Sequence, residues 1–220
     1  MNIRARGFTL AELAIALTVL SLIIGILAAP VAARIEASQR HAADAMLDDI
    51  IDALVGFALL HGRLPCPSIE VNPAGSGYGL EQGPPCAFAT PGYLPWRTLG
   101  LPVHDPWGRP RASAAAPWDG HWRYRPDRRF AEGVITLATQ PVNHIQIRDH
   151  DGNPLTTADS RAIAVVYSTG PNLLDDGLNA AWSPAAPVFE TGEATAAFDD
   201  RLRWIGHPFL IARLAQGGRL

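Results

Sequence analysis

Gly7-Phe8-Thr9-Leu10-Ala11-Glu12-Leu13 heads an apolar run that continues to Ala29. Arg4 and Arg6 precede it, and Glu12 is the one charge inside it. A run of this length meets the ~20 residues that a helix needs to cross a bilayer. The two arginines favour the cytoplasmic side, which places the downstream body on the far side. Thr9, Thr18 and Ser21 can bond back to carbonyls one turn earlier, so they need no outside partner. Glu12 is different: a carboxylate within such a span costs about 2.5–3.5 kcal/mol at mid-membrane and less near an end. It therefore either sits at headgroup depth in water or faces a partner. Gly7 followed by Phe8 reads as a cut site, a small residue before a bulky one. A cut there would leave an α-amino group on Phe8, and Glu12 would lie about one helical turn, ~6 Å, deeper. Amine and carboxylate on neighbouring subunits could then neutralise each other in an apolar core.

The segment Gly7, Phe8, Thr9, Leu10, Glu12, with its apolar tail through Leu27, resembles the N-terminal signature of type IV pilins and type II secretion pseudopilins. The resemblance implies cleavage after Gly7 by a prepilin peptidase, N-methylation of Phe8 and a docking role for Glu12. It also implies a chain divided into a leader (residues 1–7), a transmembrane assembly helix (8–29), an amphipathic continuation (30–62) and a periplasmic β-rich body (63–220). The competing reading is a secretory signal peptide cut among Ala28, Ala29, Ala32 and Ala33. An acid in the apolar core and the length of the run both fit that reading poorly.

Past the span, Pro30 stands inside a continuing helical pattern and is expected to kink it. Val31, Ile35, Met46, Leu47, Ile50, Ile51, Leu54, Val55, Phe57 and Ala58 recur mostly at spacings of three and four, with charges between them. Gly62 is placed to close the helix in the left-handed conformation. The body that follows holds most of the 20 Gly and 19 Pro, and it suits a loop-rich sheet domain better than a helical bundle. With six Trp it has large side chains to anchor a core. Trp96, Leu99 and Trp107 read as such anchors, and Asp105-Pro106-Trp107-Gly108 as a turn. The net charge of −3 supplies no overall drive towards nucleic acid.

Cys66 and Cys86 form an even pair in an exported domain and read as a disulfide around a Gly- and Pro-rich loop. Two free buried thiols are the alternative; a zinc site lacks its Cys-x-x-Cys spacing. Strands are expected at Trp122–Arg125, Val134–Leu137, Ile145–Arg148 and Arg161–Ser168, the last being the most apolar and hence central. Asp151-Gly152 marks a turn, and Pro208–Leu214 has the spacing of a short helix or strand.

Outside the span, Asn172, Asp175, Asp176, Asp199 and Asp200 offer the oxygen ligands that calcium prefers. Ser168-Thr169-Gly170, the acidic loop and Asp199-Asp200 are similar to the calcium loop of major pseudopilins, although Trp182 to Val188 replaces its compact glycine-rich middle. The alternative is a solvated turn with Asp199 or Asp200 paired to Arg201 or Arg203. Asp149-x-Asp151-x-Asn153 has its Gly in the wrong place for a calcium hand. The seven His are scattered, and no nucleophile elbow, zinc helix or phosphate loop occurs. Arg123, Arg125, Arg128 and Arg129 around Trp122 and Tyr124 could meet nucleic acid, but read better as a strand face paired with Asp127 and Glu132.

The expectation is an α+β, pilin-like fold: a long kinked N-terminal helix packed on a small antiparallel sheet domain with a disulfide loop. The function it implies is that of a structural subunit, a minor one given the extended Cys loop and Trp-rich body. It would serve a type IV pilus or type II secretion pseudopilus and not act as an enzyme. The partners would be other subunits, the prepilin peptidase, the inner membrane and the assembly platform. The competing functions are a signal-anchored periplasmic enzyme, which predicts a cleft, and a secreted disulfide-bonded binding module, which predicts a cut near Ala33.

Overall fold

The computed structural model describes residues 9–70, 72–88, 92–108, 120–181 and 183–220. Helix α1 (Leu10–His61) is followed by the short α2 (Trp96–Leu99), strand β1 (Arg123–Pro126), α3 (Arg128–Glu132), β2 (Gln146–Arg148) and β3 (Ala162–Ser168). A 3-10 turn, η1 (Gly177–Ala180), then leads to β4 (Val188–Glu190), β5 (Arg201–Gly206) and α4 (His207–Gln216). Contacts divide the chain into two compact units, Met1–His41 and Ala42–Leu220.

In the first unit, α1 continues through Pro30 as unbroken helix. Proline removes only one internal hydrogen bond, and the strong helix formers on either side carry the helix across it. In the second unit, the closing turns of α1 supply one wall of the core. Ala43, Leu47, Ile50, Leu54 and Ala58 are all at most 1 % exposed and repeat every three or four residues along one stripe. The helix stops at Gly62, whose φ of 72° is the left-handed conformation a C′ glycine adopts freely.

That stripe packs with Trp122, Tyr124, Ile163, Ala164, Val166, Ile205, Leu210 and Leu214. The main sheet is antiparallel, in the order β1-β3-β5. β3 is central and buried at all seven residues, as its unbroken apolar character predicts. Alternate residues serve opposite faces. Ala164 and Val166 face the helix-side core, whereas Val165 and Tyr167 join Ile145, Ile147, Phe189 and Leu202 in a second cluster. The second cluster is roofed by a two-stranded ribbon, β2 with β4, whose pairing is parallel rather than antiparallel. On the edge strand β5, Arg201 and Arg203 reach Asp44 and Asp48 of α1. Among the described residues neither arginine forms an ion pair with Asp199 or Asp200: both are engaged by the acids of α1, and Asp200 is held instead by the Asp176 amide and Asn179.

Cys66 and Cys86 form the disulfide, with Cα atoms 5.2 Å apart. Closing a loop of this size is worth about 3 kcal/mol in the chain-entropy model. The loop has a second tie: Glu81 pairs with Arg63 through both oxygens (2.9 and 3.0 Å) and also accepts from the Cys66 amide. Trp107 and Trp122 are buried, while Trp96 is half-buried against Gly79. The expected strand at Val134–Leu137 is absent. Ile135 alone points inward, its amide bonded to Gly62, while Val134 and Leu137 stand 75 % and 68 % exposed. The segment has the β-branched residues of a strand but pairs with no other strand among the described residues; Thr139 caps it as a turn through its bond from the Thr136 amide. Pro208–Leu214 resolves as helix α4. The Ala112–Ala116 run and Trp182 lie outside the described residues.

Candidate functional site

From Leu10 to Gly25 every side chain is exposed, among them Leu13, Ile15, Leu17, Leu20, Leu22, Ile23 and Ile24 at roughly half or more of their surface. A helix that is apolar on all sides belongs inside a protein core or a bilayer. Length and composition make α1 able to cross a membrane. Thr18 donates to the carbonyls of Ala14 and Ile15, and Ser21 to that of Thr18, so both hydroxyls are satisfied within the helix.

Glu12 has a local partner. Its Oε2 accepts from the Thr9 amide at 2.9 Å and the Thr9 hydroxyl at 2.8 Å, while the Glu12 amide donates to Thr9 Oγ1 at 3.3 Å. This reciprocal pair is a capping box. Thr9-x-x-Glu12 carries its sequence signal, and reading Glu12 only as an acid awaiting a distant partner passes over it. The box answers two orphan amides at the helix start. It leaves the negative charge in place at the entry to an apolar helix. Gly7 and Phe8 lie outside the described residues.

Of the five oxygen-bearing residues expected at a cation site, the structure brings together three. One oxygen each from Asp176, Asp199 and Asp200 lies within 4.8 Å of the others. Gly170 (φ 61°) holds this corner open, since a Cβ there would meet Asp199 Oδ1 at 2.2 Å. Asp200 is buried, 1 % exposed. Its Oδ2 accepts from the Asp176 amide (3.0 Å) and Asn179 Nδ2 (2.8 Å), while Oδ1 has no hydrogen-bond partner among the described residues. Burial pushes the Asp200 carboxyl up to about 7, and the carboxylates of Asp176 and Asp175 add to that rise. Asp175 points elsewhere: it accepts from Arg123 Nε and Nη2 and from the Tyr167 hydroxyl. Asn172 supports from outside, donating to both oxygens of Asp176. A buried carboxylate oxygen without a donor, beside two further carboxylates, fits a hard cation such as calcium or magnesium.

Three of the four arginines of the supposed basic patch are engaged within the body, and Arg125 and Arg128 share the face of Phe88. Arg123 is tied to Asp175, Arg125 is buried over Phe88, and Arg128 pairs with Glu132. Asp127 does not pair with them; it caps α3 through the Arg129 amide and also accepts from the Val142 and Asn143 amides. Several histidines are held by structural neighbours. His61 reaches the Phe57 carbonyl, His121 the Tyr78 hydroxyl and His207 the Thr139 carbonyl.

Over residues 2–28 the chain matches the prokaryotic N-terminal methylation motif, the signature of type IV pilins and pseudopilins. The match contains Gly7, Phe8 and Glu12. No curated protein and no solved structure matches the chain.

Proposed function

We propose that this chain is a structural subunit, a minor one, of a type IV pilus or type II secretion pseudopilus. A prepilin peptidase cuts after Gly7, Phe8 is N-methylated, and the helix anchors the subunit in the inner membrane with its N-terminus cytoplasmic and its body periplasmic. Assembly then moves the helix from lipid into the filament core. Its apolar surface is covered in both places, so little hydrophobic free energy is lost in the transfer. The Glu12 carboxylate meets the α-amine of a neighbouring subunit and loses its desolvation cost there. The body, held by its disulfide and two-sided sheet, faces outward and contacts other subunits and the assembly platform. The observation that carries this reading is the methylation motif on a helix whose stretch from Leu10 to Gly25 is apolar and exposed on every side.

A cation at Asp176, Asp199 and Asp200 belongs to the same proposal. It would tie the loop after β3 to the start of β5 by neutralising three acids, one of them buried. Its role is structural, and no reaction is assigned to it.

The test of the assembly reading is fractionation. Filaments sheared from cells should carry the chain. Cells lacking the prepilin peptidase should retain it in the membrane fraction with residues 1–7 attached. Recovery of the chain in the soluble periplasm in both backgrounds contradicts the proposal.

A further inference from the structure

We propose that His150 is a pH-operated clamp: its imidazolium fastens residues 191–198, the strap joining β4 to β5, down onto the turn 149–153 and Glu190. The geometry is independent of the assembly reading. His150 Nδ1 lies 2.7 Å from Glu190 Oε1, and Nε2 lies 2.9 Å from the backbone oxygen of Glu193. Both partners are acceptors. A neutral imidazole carries one N–H and can serve only one of them; the imidazolium serves both. The strap is fitted to the ring. Phe198 meets it edge-on with centroids 4.7 Å apart, and Gly192 passes so close that a Cβ there would sit 2.2 Å from Nε2.

The charged groups facing the ring are Glu190 from β4 and Asp149 from its own turn; the strap adds the Glu193 carbonyl and Phe198. The Glu190 carboxylate first, then the Glu193 carbonyl, hold the imidazole above the ordinary histidine range. For a base raised on folding, the stabilisation is complete below the ordinary histidine value. It disappears as pH climbs through the raised one. The strap is therefore shut at mildly acidic pH and released at alkaline pH. Elsewhere it is held by the Thr191 amide on the Arg148 carbonyl and the Thr195 amide on the Phe198 carbonyl. The first bond anchors one end, and the second lies within the strap itself. Release of His150 therefore frees the middle of the segment.

Hydrogen exchange of the full-length chain in detergent micelles, corrected for intrinsic rates, tests this at pH 6 and pH 9. Protection of amides 191–198 should fall severalfold between the two, as the bond from the second ring nitrogen is lost. The amides of β3 should not change and serve as the internal reference. His150→Phe keeps the aromatic packing and removes both N–H groups. Its strap should exchange at pH 6 as the wild type does at pH 9. Glu190→Gln keeps an acceptor and removes the charge, so it should move the wild-type transition to lower pH. Equal strap protection at pH 6 and 9 in the wild type overturns the clamp, as does wild-type pH dependence in His150→Phe. Should that variant lose β3 protection, an unmoved transition in Glu190→Gln overturns it instead.

Discussion

Thr9 and Glu12 close a capping box, so truncating Glu12 removes two things at once: the helix cap and the charge. Glu12→Ala loses both; Glu12→Gln keeps an acceptor at the third helical position and loses only the charge. The cap alone is worth about 1 kcal/mol. If the carboxylate acts by meeting a neighbour's amine, both variants should enter sheared filaments at least about tenfold less than the wild type, with the body folded normally in each. If the cap is what matters, Glu12→Gln should assemble as the wild type does. Quantitative blotting of sheared filaments reads the difference. At this scale the sequence is legible where the signal is local. Thr9-x-x-Glu12, the paired cysteines and the C′ glycine at Gly62 all lie within a short window or a simple count. The partnership of His150 with Glu190 is not legible, since forty residues separate them and only the ribbon pairing of β2 with β4 brings them together.

Among the elements, the acidic loop shows how composition overstates a site. Five oxygen-bearing residues stand in two short stretches, yet Asp175 is drawn off by Arg123 on β1 and by Tyr167 on β3. Strand pairing made that choice, which no spacing along the loop could reveal. For the remaining three acids the expectation is a cation-dependent melt. Saturating calcium should raise the melting temperature of the body relative to chelator; at one hundred times Kd the gain is about 2.7 kcal/mol. Asp200→Asn removes the buried charge. It should abolish that calcium increment and leave the chelator melt no lower than the wild type's, because a carboxyl pushed up to about 7 costs stability when ionised. Identical melts of the wild type in calcium and chelator count against the site. The Val134–Leu137 segment shows the converse. Its β-branched residues suit a strand, but a strand needs a neighbour, and Gly62 supplies one backbone bond where a ladder would need several.

At the largest scale, α1 is apolar and exposed from Leu10 to Gly25, and its closing turns belong to the core of the body. The central strand and the disulfide were readable from residue pattern, whereas the antiparallel sheet followed from the pilin-like resemblance. The compact unit begins at Ala42, well before the helix ends, because the apolar stripe from Ala43 to Ala58 buries itself in the body's core. The parallel ribbon over the far face was not readable, since three-residue strands carry no pairing signal of their own. The proposed processing, at Gly7 and Phe8, is what would tie this architecture to assembly. Intact mass and N-terminal sequence of the chain purified from membranes of its own cells test it most directly. The account predicts a mature chain of residues 8–220 beginning with Phe8 and carrying one added methyl on its α-amine. A chain that begins near residues 30–34, or one that retains Met1–Gly7 in cells with an active prepilin peptidase, contradicts it.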